Sequence, residues 1–377
     1  MRKVFDQLRR DFPKLSEVTY INTASLGLPP KCCTDAVMKW LEEREYGNIF
    51  WLKWEKIREE TKQKIARMIN AEEKTIAIVE NTSWGLNIIA NSLKWKKGDN
   101  IILNDLEFPT NIFPWQIQAK KHSLEIRVIR NKNGIIDIRD IREKIDDKTR
   151  VIAISWVQFS NGFVSDLTQL AELAHSHDAI LVVDGIQGVG AIPIDVRKMD
   201  IDVLVCGGHK WLLAFPGAGF MYIKKEILED LDIKFGGWLS DADPFNFDYR
   251  EYTPAEGSRR FEIGSPNFAG IYALNASVEY LLRIGVEKIY ERNLELTRFL
   301  LEKIPSRFKI LSPLIDNTPK SSIILLAVKD AKKAYEKLKE RKIIVAARKG
   351  GLRVSINFYN NEEDIEKLLR NLSEVTE

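Results

Sequence analysis

The stretch "AILVVDGIQGVGAIPIDVRKMDIDVLVCGGHKWLL", residues 179–213, holds two short apolar runs, each closed by groups that a strand does not need. The first ends at Asp184. The second passes two glycines to reach His209 and Lys210 before returning to bulky apolar residues. Alone, the lysine reads as a solvated turn residue and the aspartate as a cap or turn residue. The rest of the chain changes that reading, because the pattern recurs. "TIAIV" (75–79) precedes the helix-like "SWGLNIIANSL", and "NIILN" (100–104) precedes "FPTNIFPWQIQAKKH". "SLEIRVIR" (123–130) leads to "DIRDIREKI", and "RVIAISWV" (150–157) to "DLTQLAELAHSHD", a helix that Asp166 can cap. Strands separated by helix-length segments predict a mainly parallel sheet covered on both faces, in the α/β class. Ligands of such sheets bind beyond the carboxyl ends of the strands. Asp184, Lys210 and the pair Thr82–Ser83 then share one rim.

The 377 residues suit a large domain with a smaller companion. We expect a segment 1–19 packing with the smaller unit, a large cofactor-binding domain over 20–255 and a smaller α+β domain over 256–377. The segment 235–268, rich in Gly, Pro, Asp and aromatics, reads as an irregular crossing between them. Lys+Arg 57 against Asp+Glu 54 leaves no global basic field for nucleic acid or a membrane surface. The N-terminus lacks the apolar core of a secretory signal, and no run has the length to span a bilayer, so a cytoplasmic protein is expected. Cys32, Cys33 and Cys206 form neither a disulfide framework nor a metal spacing. His175 and His177 share a helix at a spacing unsuited to one metal and read as surface residues; no metal site is expected. Arg260 and Glu262 read as an internal ion pair.

Which ligand uses an aspartate and a lysine at neighbouring strand ends? A phosphate loop requires Gly-x-x-x-x-Gly-Lys-Ser/Thr, which "GGHKWLL" does not supply, and "GIQGVG" does not match the dinucleotide pattern G-x-G-x-x-G. Pyridoxal phosphate fits better. Its aldehyde needs an amine, its pyridine nitrogen an acid, and its phosphate hydroxyls and N–H groups at a helix start. Lys210, Asp184 and Thr82–Ser83 supply one group for each. The lysine should have a lowered pKa, because only the free amine is nucleophilic or accepts a proton.

With those residues in place, "VVDGIQGVGAIPIDV" and "DIDVLVCGGHKWLLAFPGAGFMYIKKE" resemble the class V aminotransferases of the pyridoxal phosphate fold type I superfamily, a group that also holds cysteine desulfurases, kynureninases and isopenicillin N epimerase-like proteins. The resemblance runs from "YINTASLGLPP" near residue 20 to "LRVSINFYNNEEDIEKLL" near the end. It implies that Lys210 forms the Schiff base, Asp184 faces the pyridine nitrogen, Gln187 bonds the phenolic oxygen and His209 lies beside the phosphate. It makes Thr82 and Ser83 phosphate ligands and Phe108, where relatives usually have histidine, the ring that stacks on the cofactor. Ser265, in "RRFEIGSPNF", would reach the phosphate of a neighbouring subunit, which implies a homodimer with shared active sites. Arg353 would grip the substrate carboxylate, with Asn22, Ala24 and Gln158 near the substrate and Trp156 and Asn161 as further pocket residues.

Departures from the relatives narrow the chemistry. "IIVAARKGGLRV" contains no cysteine where desulfurases commonly carry their nucleophile, so a typical cysteine desulfurase is not expected. Gly207 stands where many relatives have a phosphate-contacting serine. The resulting expectation is an amino-acid aminotransferase, with a class V lyase or epimerase as the alternative and a non-catalytic cofactor binder behind both. Loss of the α-proton to Lys210 begins all three reactions, and the sequence leaves transamination, racemisation and elimination open.

Overall fold

The computed structural model describes residues 2–247, 250–314 and 318–375; Asp248 and Tyr249 of the expected crossing lie outside the described residues. Its strands are β1 (Thr19–Tyr20), β2 (Ile76–Val79), β3 (Asn100–Asn104), β4 (Glu125–Ile129), β5 (Thr149–Ser155), β6 (Ile180–Asp184), β7 (Val203–Gly207), β8 (Gly219–Ile223), β9 (Ile323–Ala327), β10 (Ile343–Ile344), β11 (Ala346–Arg348) and β12 (Gly351–Ser355). The central sheet has seven strands in the order β2-β8-β7-β6-β5-β3-β4. Strands β3 to β7 run parallel, whereas β8 is antiparallel to both β7 and β2. Two reversals restore the direction, so β2 ends on the same rim as β6 and β7.

Alternation along each strand divides the apolar side chains between two faces. Leu181 and Val183 of β6, with Leu204 and Cys206 of β7, enter one core; Val182, Val203 and Val205 enter the other. The helix Thr82–Ser92 lies close against β7, because a Cβ on Gly85 would come within 2.5 Å of Val205. The helix Phe268–Ile284 buries Phe268, Ile271 and Leu274 in the first core, together with the helices at 31–44 and 51–69.

A second, antiparallel sheet has the order β11-β12-β9 and a core of its own around Leu296, Leu326, Leu338, Ile365 and Leu372. The first residues of the chain attach to this unit. β1 pairs with β10, Arg9 holds Asp364 at 2.7 Å, and Phe12 packs edge-on against Phe358. Among the described residues no helix is long and apolar enough to cross a membrane.

Two polar expectations are corrected. Glu262 does not pair with Arg260; it takes Arg58 at 3.4 Å and Lys62 at 3.7 Å, while Arg260 donates to the Gly257 carbonyl. His175 is a half-buried bridge to Asp202 at 2.8 Å and Asp200 at 3.1 Å, and the half-buried His177 ring lies 3.2 Å from the Leu173 carbonyl. The partners of Glu262 and His175 lie on other elements, which the local sequence does not show.

Candidate active site

The rim formed by β2, β3, β5, β6 and β7 opens into a cleft of about 380 Å³ between the central sheet and the β11–β12 hairpin. Asp184 closes β6 on its floor, 3% exposed, and one carboxylate oxygen accepts the Ile186 N–H at 3.0 Å. Burial raises its pKa to about 6, partly opposed by that hydrogen bond and by the charge of Lys210. Lys210 lies three residues beyond β7. Burial lowers its pKa to about 8 against the pull of Asp184, with the Arg353 charge adding to the depression. The amine has no ion pair among the described residues and stands 5.7 Å from the centre of the Phe108 ring. His209, beside it, is pushed down to about 4 by burial and then by Lys210, and is therefore neutral at physiological pH.

The turn carrying Lys210 is clamped from the N-terminal segment. Gly27 donates to the His209 carbonyl at 2.9 Å, and a Cβ there would lie 2.0 Å from the Lys210 carbonyl oxygen. Gln187 is held on both sides, donating to the Ala24 carbonyl at 2.9 Å and accepting from the Trp211 indole at 2.8 Å.

At the other end of the cleft the helix Thr82–Ser92 begins. Asn81 caps it by accepting the Trp84 N–H at 2.9 Å, which leaves the first N–H groups, those of Thr82 and Ser83, without intrahelical acceptors. Thr82 is buried and its hydroxyl takes the Gly207 N–H at 3.0 Å; the exposed Ser83 hydroxyl is 2.8 Å from that of Thr110. Gly207 admits this contact, since a Cβ would press on His209 and Ile186 at 3.2 Å. Phe108 is 45% exposed and meets Phe159 edge-on at 5.1 Å, presenting a ring over the lysine.

Arg353, on β12, is fully buried yet lines the cleft. It donates to the Phe159 carbonyl at 2.7 Å, the Ser25 hydroxyl at 2.6 Å and the Asn22 amide oxygen at 3.2 Å. Burial, then the neighbouring Arg348 charge, lowers its pKa to about 9.

Several expected pocket residues serve elsewhere. Asn22 does not line the cleft; it orients Arg353. Gln158 is fully buried and donates to Glu107 at 2.8 Å, in a network where that carboxylate also takes Asn104, Asn111 and Ser155. Trp156 lies under Gly188, where a Cβ would come within 2.0 Å of its ring, and Asn161 donates to the Gly134 carbonyl. From that loop it is Ser155 and Phe159 that reach the cleft. Ser265 is exposed and lines a separate cavity with Arg58, Glu80 and Trp84, away from this chain's own Lys210. Residues not singled out in the sequence, Ser25, Asn81, Thr110 and Arg348, also line the cleft.

The cleft has one acid, Asp184, facing three cations and a helix N-terminus. A free amine with no counter-ion, a buried acid beside it and unused N–H groups at the far end fit pyridoxal phosphate in its aldehyde, ring nitrogen and phosphate. Fold and site together are those of a fold type I pyridoxal phosphate enzyme. Residues 30–368 match the family model described as aminotransferase class-V, and the chain belongs to that family. An Escherichia coli cysteine desulfurase is 32% identical over 320 residues, covering 80% of this chain and 77% of that one. An uncharacterized aminotransferase of Bacillus subtilis is 27% identical and covers 97% and 96% of the two chains. The solved structure of the cystine C–S lyase C-DES with cysteine persulfide superposes with a TM-score of 0.89 over 96% of this chain and 99% of that one; at 24% identity the likeness is one of fold.

These relatives fit the lyase alternative and stand against the expectation that the chain is not a typical cysteine desulfurase. What the cleft itself shows is narrower: among the described residues, none that line it is a cysteine. Cys33 and Cys206 are buried, and burial carries the Cys206 thiol well above its ordinary range.

Proposed function

We propose that this class V enzyme removes the α-proton of an amino acid and then breaks the bond between the β-carbon and its substituent, as a carbon–sulfur lyase does. The observation that carries this reading is a depressed lysine amine beside a buried arginine in a cleft lined by no thiol. When bound, pyridoxal phosphate supplies the electron sink for the pair left at the α-carbon. Arg353 holds the α-carboxylate by charge-assisted hydrogen bonds, its guanidinium braced by Phe159, Ser25 and Asn22. Lys210, near neutrality already partly a free amine, takes the α-proton. Lys210 then returns that proton to a sulfur leaving group, which would depart as a free thiol, since among the described residues no cysteine lines the cleft. With the cofactor bound, Asp184 would keep a proton at the pyridine nitrogen, Gln187 would donate to the phenolic oxygen, and Thr82, Ser83 and His209 would hold the phosphate. Phe108 covers the ring and exchanges no proton.

The Bacillus subtilis relative named as an aminotransferase favours a second reading, in which Lys210 returns the proton to the cofactor carbon and an amino group is transferred. We further propose a homodimer in which Ser265, exposed and lining a cavity other than its own cleft, completes the partner's phosphate site.

The test is the visible absorption spectrum of the purified protein before and after borohydride reduction, with Lys210→Ala alongside. A yellow chromophore fixed covalently at Lys210 is expected, together with a loss of turnover in Lys210→Ala of roughly 10²- to 10⁴-fold. Pyruvate and ammonia formed with sulfide from cysteine, or with cysteine persulfide from cystine, support the lyase. A new amino acid formed from an added keto acid supports transfer. A protein that stays colourless after pyridoxal phosphate is added sinks both.

A further inference from the structure

Arg348 has no task in the reading above, and its position is set by the strand register. In the β11–β12 hairpin Ala346 lies opposite Arg353 and Arg348 opposite Gly351. Directly opposed residues share a face, as do residues two apart on one strand, so Arg348 and Arg353 point the same way as a diagonal pair. Both line the cleft, and both donate to the single Ser25 hydroxyl, at 3.2 Å and 2.6 Å. Among the described residues the only other partner of Arg348 is the Ala347 carbonyl at 2.8 Å, and its buried Nε has none. No described carboxylate forms an ion pair with either arginine. Two like charges on one face of a hairpin, partly desolvated and with no described carboxylate paired to them, favour an anionic ligand. The α-carboxylate of a substrate answers one of them.

We propose that Arg348 binds a second carboxylate, carried on the substrate's side chain, and so directs the enzyme toward dicarboxylic amino acids. This rests on the proposed amino-acid chemistry for its placing of the α-carboxylate at Arg353. Gly350, at φ +91°, turns the hairpin, and a Cβ on Gly351 would strike the Leu326 carbonyl at 1.8 Å, so β12 with Arg353 lies close against β9 and β11 with Arg348 pairs on its other side. The second anion site is therefore built into the backbone.

Calorimetric titration of the holoenzyme with succinate and with butyrate, which differ by one carboxylate, tests the site without turnover. Succinate should bind roughly 10- to 100-fold tighter, the worth of a charge-assisted hydrogen-bonded pair. Arg348→Gln should bring the two ligands to parity, and Arg348→Lys should keep part of the preference. In parallel, kcat/KM for S-carboxymethyl-L-cysteine relative to S-propyl-L-cysteine, both with a β-sulfur leaving group and only the first with a second carboxylate, should fall in Arg348→Gln by a similar factor. Equal binding of the two acids by the wild-type protein overturns the proposal. So does an equal loss for both ligands in Arg348→Gln, which would make Arg348 a second holder of the α-carboxylate. A preference for succinate in a holoenzyme whose spectrum no amino acid perturbs would support the anion site and overturn the proposed function instead.

Discussion

Asp184 and Lys210 lie on one rim, yet each is perturbed chiefly by its own burial. Asp184 rises to about 6 and Lys210 falls to about 8, so near neutral pH the cleft's single carboxylate is largely ionised at a desolvation cost. The sign follows from linkage. A carboxyl whose folded pKa lies above its unfolded value gives stability that is complete below the unfolded pKa and is lost as pH rises through the folded one. Asp184→Asn keeps an acceptor for the Ile186 N–H and removes the ionisation. In the cofactor-free protein the variant should therefore gain on the order of 2 kcal/mol relative to wild type between about pH 4 and about pH 7. Denaturant titrations at the two pH values check this; a gain as large at the acid end would mean that the ionisation is not its source. The same residues were readable in sequence because each follows a strand end. Arg348 was not. Its five-residue spacing from Arg353 across "KGG" was visible, but which side of a hairpin it takes depends on register.

Elements carry the second lesson. The helix beginning at Thr82 was legible from its apolar period, and its cap, Asn81, serves as Asn usually does. The β11–β12 hairpin depends on contacts beyond the local pattern. Gly351→Ala would force a Cβ into the Leu326 carbonyl and part β12 from β9. Its unfolding free energy should drop by roughly 1–3 kcal/mol in denaturant titration, with weaker binding of carboxylates to the folded protein. Unchanged stability and affinity would show that the hairpin can shift without cost. Gln158 and Asn22 illustrate why loop residues misled. Each is polar and near the site in the chain, but Gln158 answers the buried Glu107 and Asn22 braces Arg353.

For the whole molecule, the decisive observation is that Ser265 is exposed and lines a cavity other than the Lys210 cleft, while Leu52 at 76% and Ile49 at 74% exposure leave apolar surface on the same chain. A second copy that covers such surface and brings Ser265 to the other cleft would make the two sites interdependent. Sedimentation should give a dimer. Ser265→Ala should weaken pyridoxal phosphate binding, and mixed dimers of Lys210→Ala and Ser265→Ala chains should recover one intact site and up to half the wild-type activity per mixed dimer. A monomeric active enzyme, or mixtures no more active than their parents, would refute the shared site.

The sequence by itself determined the α/β class, the strand order of appearance and the Asp184, Lys210 and Thr82–Ser83 positions. These rest on local periodicity and on the rule that parallel sheets present their ligands at strand ends. Only the tertiary structure decided that β8 runs antiparallel, that Glu262 belongs to Arg58 and Lys62, and that Arg348 joins Arg353 over the cleft. Those outcomes depend on which distant elements meet and in what register, and a one-residue shift in a hairpin turns a side chain from the cleft to the opposite face.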